Sequence, residues 1–421
     1  MVKYFNYDDE IKTKSGKIPY DTEPISRNRN YSRPSVSSSG FTSNKVVVFL
    51  LVLIIVFNVV IGFVVFNQNV SSAPSTTVEN NITISGESSN TTYAVAKAMP
   101  SVVCIASGYN SQATSGNITY ENFQSMNDRG SGVILDIDKT AGDATIVTCQ
   151  HVVSGNNDSI YILLFDSYKP IKATYIGGNV SKDIATLKIT DSNEIKRSSA
   201  LAAKVGDSSL VAQGNKVVAI GNPMSSGFDA CDGSVRKAQT LTTVSKIGVE
   251  RVIATSVPIN SGNSGGGLFN DKGELVGIVN AKIENASIDA VSYAIPSNYA
   301  VSIARSIERN NGTARKAVLG LDFVTSDTGR DVEILDGNII FYDTVLVNNI
   351  VAGSAAEIAG IENGDVVLGF TYHDSVFVPV MNIYSFEDHA YNIGLGDTIE
   401  FLLKRGNNNI TKTVVITSVS A

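Results

Sequence analysis

Short β-branched runs alternate with small clusters of Gly, Asn and Asp over most of this chain, and that spacing predicts strands. Val102–Ala106, Gly132–Asp136, Ile160–Leu164 and Ile184–Ile189 form one set. Lys216–Ile220, Val252–Thr255, Leu275–Val279 and Val291–Ile295 form a second. Strands of this length at close, regular spacing read as all-β barrels. Helical periodicity is rarer. Val301, Ala304 and Ile307 share one helix face, Ser297 stands at the cap position and Gly312 lies past the end, so a helix is predicted over Asn298–Arg309. Ser385 to Ile393 reads as a second, short helix, with Ser385 as N-cap and Asp388 three residues on.

One apolar run is much longer. Val46 to Phe66 is interrupted only by Asn58 and Gly62. At about 1.5 Å per residue it spans ~30 Å, the thickness of a bilayer core. A cleaved signal peptide has a shorter apolar core and does not begin so far into a chain, so a retained anchor is expected. Lys and Arg recur through residues 1–45, ending in Arg27, Arg29, Arg33 and Lys45, and are missing from residues 67–96. The positive-inside rule then puts the N-terminus in the cytoplasm and everything after Phe66 outside it, a single-pass arrangement in the cell membrane. Residues 1–45 are polar and read as disordered. Residues 67–93, rich in Ser, Thr and Asn, read as a flexible tether.

The chain has 421 residues, 43% of them hydrophobic, enough for two or three cores. Its formal net charge of −7 offers no basic field for a nucleic acid. Cys104, Cys149 and Cys231 contain no Cys-x-x-Cys pair, which argues against a structural zinc. Neither a metal nor an organic cofactor is expected. One disulfide is open on this count, and free buried thiols are the more expected state.

Gly262-Asn-Ser-Gly-Gly266 carries the chemistry. A serine between glycines on a tight loop can hold its Oγ outward while the Gly262 and Ser264 amides converge as an oxyanion hole. A serine hydroxyl needs a base. Of His151, His373 and His389, only His151 lies in the same compositional block, at the end of the apolar run Ala144–Val153 that reads as a strand feeding a turn. Asp183 opens the apolar run Ile184–Ile189 and suits the group that orients an imidazole. With His151 and Asp183 in the first set of strands and Ser264 in the second, the site belongs in a cleft between two barrels.

Ser131-Gly-Val-Ile134, Val147-Thr-Cys-Gln-His-Val-Val153, Asp183-Ile-Ala-Thr-Leu-Lys-Ile189, Ile220-Gly-Asn-Pro223, Ile259-Asn-Ser-Gly-Asn-Ser-Gly-Gly266, Gly273-Glu-Leu-Val-Gly-Ile278 and Tyr293-Ala-Ile-Pro-Ser297 follow one another in an order that resembles the HtrA (Deg) serine proteases. Cys149-Gln150, Thr255-Ser256, Ser261, Gly267 and the stretch Gly227–Arg236 depart from the family's usual pattern. The resemblance implies two chymotrypsin-like six-stranded β-barrels over residues 94–312. It implies ATP-independent cleavage of unfolded or damaged proteins, and a homotrimer or larger assembly. By the same resemblance Pro258, six residues before the nucleophile, lies at the base of the S1 pocket, with Asn280 and Ala281 on the facing strand. No carboxylate stands among them, so cleavage after small or medium apolar residues is expected. Val347–Val367 resembles the signature of the PDZ domains attached to these proteases, which places a PDZ domain over residues 313–421. Leu319, Gly320 and Leu321 then resemble the loop that binds peptide C-termini. A second function class fits the same residues: a chaperone-like or stress-sensing binding protein whose protease site is inactive at rest.

Overall fold

The computed structural model describes residues 90–420 apart from 109–117, 127, 156–158, 223–226, 245–247, 282–290, 336–337 and 374–376. The apolar stretch 46–66 and the segment before it lie outside the described residues. No helix among the described residues is long and apolar enough to cross a membrane.

The first set of strands closes into a barrel. Its members are β1 (Val102–Ser107), β2 (Asp128–Asp138), β3 (Asp143–Thr148), β4 (Ile160–Leu164), β5 (Ile171–Asn179) and β6 (Ile184–Ile189), paired in the order β1-β2-β3-β6-β5-β4. The second set closes likewise. It comprises β7 (Lys216–Gly221), β8 (Asp229–Val244), β9 (Gly248–Thr255), β10 (Gly267–Asn270), β11 (Leu275–Val279) and β12 (Ser292–Pro296), in the order β10-β11-β12-β9-β8-β7. The two barrels share a continuous core: Ile105, Ile146 and Leu187 of the first pack in one cluster with Ile220, Phe269 and Ile278 of the second. Closure leaves no open sheet edge in either barrel, and the loops that carry His151 and Ser264 meet at their junction.

Within the two barrels, the hydrophobic runs predict no strand at β5, β8 or β10. β8 is the instructive one. Val235 is its one buried hydrophobic among the side chains described, so no hydrophobic run announces it. The strand exists because its backbone pairs on both sides, with β7 and β9. The predicted helix runs from Ser297 to Arg309 and buries Ala300, Ile303, Ala304 and Ile307 at i, i+3, i+4 and i+7. Ser297 does not cap it. The serine is itself helical and buried, and its Oγ donates to the Gly206 carbonyl at 2.9 Å. Asn90–Ala98 is also helical and buries Ala94 and Ala98, four apart, so the expected tether ends in helix.

The chain after the long helix forms a third block. β13 (Lys316–Ala317) pairs with β20 (Val419–Ser420). β14 (Asp322–Leu335), β15 (Asn338–Asn348), β16 (Val366–Tyr372), β18 (Thr398–Arg405) and β19 (Asn408–Val415) form a sheet in that order, with β17 (Val378–Pro379) beside β16. β18 alternates strictly at first, with Ile399, Phe401 and Leu403 buried and Thr398 and Glu400 exposed. Of the helix expected over Ser385–Ile393, only Glu387–Ala390 is helical. Ser385 Oγ instead accepts the Met381 and Asn382 amides at 3.0 and 3.2 Å and closes the turn before it. Asp388 is no capping residue: it is buried in an ion pair with Arg251 of β9. Tyr299 of the long helix packs edge-on against Tyr391, with ring centroids 5.9 Å apart.

Candidate active site

The apolar run is a strand as far as Thr148, and His151 lies on the turn it feeds, a single helical turn over Gln150–Val153. The turn is pinned by Asp183. The Gln150 amide donates to the Asp183 carbonyl at 3.1 Å, and the His151 amide donates to Asp183 Oδ1 at 2.9 Å. His151 Nδ1 then meets Asp183 Oδ2 at 2.6 Å. Asp183 takes a left-handed backbone, φ 52°, an uncommon conformation that Asp tolerates better than most side chains. That bend aims both carboxylate oxygens at the histidine turn.

A buried carboxylate needs donors. Asp183 is 3% exposed, and a third donor completes its shell: Asn280 Nδ2 at 2.9 Å from Oδ2. Asn280, expected on an S1 wall, has its amide directed at the acid instead. A carboxylate on Nδ1 fixes the tautomer that leaves Nε2 as the acceptor, which is the form a general base requires.

Ser264 sits on a loop that only glycine can build. Gly262 and Gly265 have φ of 99° and 83°. A Cβ on Gly265 would lie 2.2 Å from both the Ser131 carbonyl and Thr148 Oγ1. The Gly265 amide donates to the Val279 carbonyl at 2.8 Å, and the Val279 amide returns a bond to Gly266 at 2.8 Å, so β11 holds the loop. Among the described residues neither the Gly262 amide nor the Ser264 amide has a protein acceptor. Ser264 Oγ accepts from the Ala281 amide at 3.2 Å. No hydrogen bond joins it to His151 among the described residues.

Pro258, expected at the base of the S1 pocket, is exposed, and Val257 beside it takes the buried place in the second barrel. Ala281 is half-buried next to Ser264. Cys149 Sγ, a ring nitrogen of His151 and a carboxylate oxygen of Asp183 lie within 4.8 Å of one another, a donor set a soft metal could use. The 2.6 Å bond between His151 and Asp183 already engages two of the three.

Leu319, Gly320 and Leu321 line a groove of about 310 Å³ in the third block, facing Phe386 and Ala390. Gly320 has φ 77°, and a Cβ there would lie 2.3 Å from Ser354 Cβ. Among the described residues the amides of 319–321 have no protein acceptor. Sequence reasoning missed Ser131 and Thr148 behind the serine loop, and the link of Asn280 to Asp183. Hydroxyl and amide side chains in apolar strands give no periodic signal of their partners.

A family model for the trypsin-like peptidase domain matches residues 130–278. The serine protease Do-like HtrA of Lactococcus lactis subsp. cremoris (strain MG1363) is 29% identical over 378 residues, covering 83% of this chain and 87% of that protein. The protein of the same name from Lactobacillus helveticus is 30% identical over 297 residues, covering 68% and 67%. The serine endoprotease DegS of Haemophilus influenzae is 30% identical over 288 residues, covering 67% and 76%. At this identity and coverage the chain belongs with its relatives, to the HtrA family of trypsin-like serine proteases.

Proposed function

We propose that this protein is a membrane-anchored, ATP-independent endopeptidase that acts outside the cytoplasm on unfolded or damaged proteins. The observation that carries the chemistry is the three-donor shell of Asp183, which orients the His151 ring. Ser264 attacks the scissile carbonyl. His151 takes the proton and returns it to the leaving amine, and Asp183 stabilises the imidazolium between the two steps. The acceptor-free amides of Gly262 and Ser264 receive the oxyanion.

The S1 side chain is read as small or medium and apolar. Thr255, Ser256, Val257 and Pro258 supply no carboxylate for a buried Lys or Arg. The third block acts as a PDZ domain. Its groove, with free amides at 319–321 and the edge strand β14 beside them, fits a peptide C-terminus added as a further strand. The apolar stretch 46–66 anchors the chain with residues 1–45 in the cytoplasm, and trimers are its working form. Cleavage-site mapping on an unfolded protein tests the specificity; a majority of cuts after Lys or Arg contradicts it. Protease added to intact cells tests the topology, and removal of a tag at residue 2 from outside reverses it.

One observation favours a second reading, a site at rest. Ser264 Oγ is bonded to the Ala281 amide and not to His151. Catalytic hydrogen bonds often tighten only when substrate binds. A protein that suppresses aggregation of an unfolded client but never cleaves it, with or without a peptide in the groove, would be the binding protein instead.

A further inference from the structure

Ser131 lies on β2 of the first barrel, is fully buried, and touches the second barrel at three points. Its amide donates to the Ser264 carbonyl at 2.8 Å. Its Oγ donates to the Gly262 carbonyl at 2.7 Å and accepts the Asn222 amide at 2.9 Å. Its own carbonyl accepts from Thr148 Oγ1 at 2.7 Å. Thr148 ends β3, three residues before His151. One strand of the histidine-bearing barrel therefore grips the serine loop of the other.

The two carbonyls that Ser131 holds belong to the peptide units 262–263 and 264–265. The unit between them, 263–264, carries the Ser264 amide. The carbonyl of that unit accepts from the Gly266 amide at 2.9 Å, and with both neighbouring planes held by Ser131 the direction of the Ser264 N–H is fixed. Gly262 needs such a constraint, because a glycine at φ 99° has no side chain to limit its rotation. We infer that Ser131 is a positioning residue for the oxyanion hole, and that its hydroxyl acts on the transition state through the Gly262 carbonyl. This rests on Ser264 being the nucleophile. A purely structural Ser131 would lower stability when altered. A positioning Ser131 lowers kcat and leaves substrate binding alone, because the oxyanion exists only in the transition state.

The test uses the full chain and three readouts. A fluorophosphonate, with mass spectrometry of the adduct, reports which serine is the nucleophile. Steady-state kinetics on a peptide separate kcat from KM. A peptidyl boronate, which forms a tetrahedral adduct, reports on the oxyanion hole. In Ser131→Ala, kcat is expected to fall about 10–100-fold, less than the loss of a whole donor. KM should stay within about twofold, and boronate affinity should weaken by the same factor as kcat. Thr148→Val, which removes the bond behind Ser131 at nearly constant volume, should shift kcat and boronate affinity the same way by a smaller factor. It serves as the test if Ser131→Ala does not fold. Wild-type kcat and boronate affinity in both variants, with Ser264 still labelled, overturn the positioning role. So does a fall in kcat that tracks only the fraction folded. Absence of label on Ser264 in the wild type overturns the nucleophile assignment instead, and the inference with it.

Discussion

Asn280 donates its side-chain amide to Asp183 Oδ2 at 2.9 Å, the same oxygen that holds His151 Nδ1 at 2.6 Å. The two donors come from different barrels, Asn280 from the end of β11 and His151 from the turn after β3. The acid is therefore oriented across the junction it serves. Replacing Asn280 by Ala removes one donor from a buried carboxylate, a loss on the order of 1.5–3 kcal/mol for a charged hydrogen bond. The expected result is a kcat at least about tenfold lower with KM little changed. Unaltered kcat in Asn280→Ala would show that two donors suffice.

The ion pair of Arg251 with Asp388 joins the second barrel to the third block. Its side chains are 3% and 2% exposed. The guanidinium also lies 4.8 Å from the Tyr299 ring centroid and 5.1 Å from that of Tyr384. Arg251→Ala leaves a buried carboxylate without its partner and should destabilise the fold by about 3–5 kcal/mol. Arg251→Met with Asp388→Leu removes both charges and should recover most of that loss. Denaturant midpoints of the three proteins check this, and a double variant as unstable as the single one contradicts it.

Burial holds the His389 imidazole below its ordinary pKa, against the pull of Asp388 and Asp207. Its Nδ1 meets the Tyr372 hydroxyl at 2.9 Å, and its ring packs edge-on against Phe370. A histidine whose pKa is lower folded than unfolded binds fewer protons in the fold. Its contribution is complete above the unfolded value, about 6.5, begins to fall there, and is lost as pH drops through the lower folded value. Tm should drop more steeply from pH 7 to pH 5 in the wild type than in His389→Gln, which keeps a neutral polar group. Equal slopes would remove His389 from the account.

The three cysteines are free, with Cys104 and Cys149 buried and Cys231 half-buried. Burial pushes the Cys104 thiol far up, and burial with Asp229 and Asp232 nearby raises Cys231. Thiolate is the reactive form. Alkylation of the native protein at pH 8 should be slow and reach Cys231 first, with the other two reacting only on unfolding. Early modification of Cys104 would contradict the packing around it.

How much of this was legible in the sequence differs by layer. Strands with buried β-branched runs, such as Ile160–Leu164 and Ile184–Ile189, could be read directly, because burial on both faces leaves a continuous apolar signal. β8 could not, since backbone pairing rather than apolar side chains holds it. Caps failed for a related reason. Ser297 and Ser385 have the right residue type, but each hydroxyl found a tertiary partner or a tighter turn. His151, Asp183 and Ser264 were legible because glycines and apolar flanks mark their loops. Ser131 and Asn280 were not, because the groups their side chains serve, the Gly262 carbonyl and the Asp183 carboxylate, lie more than ninety residues away in sequence.

The most direct test is hydrolysis of unfolded casein by the wild type, Ser264→Ala, His151→Ala and the double variant, with folding of each verified by circular dichroism. Triad members act as a unit, so each single variant should lose nearly all turnover and the double variant should be no worse. Undiminished hydrolysis by folded His151→Ala or Ser264→Ala protein would contradict the assignment of the site.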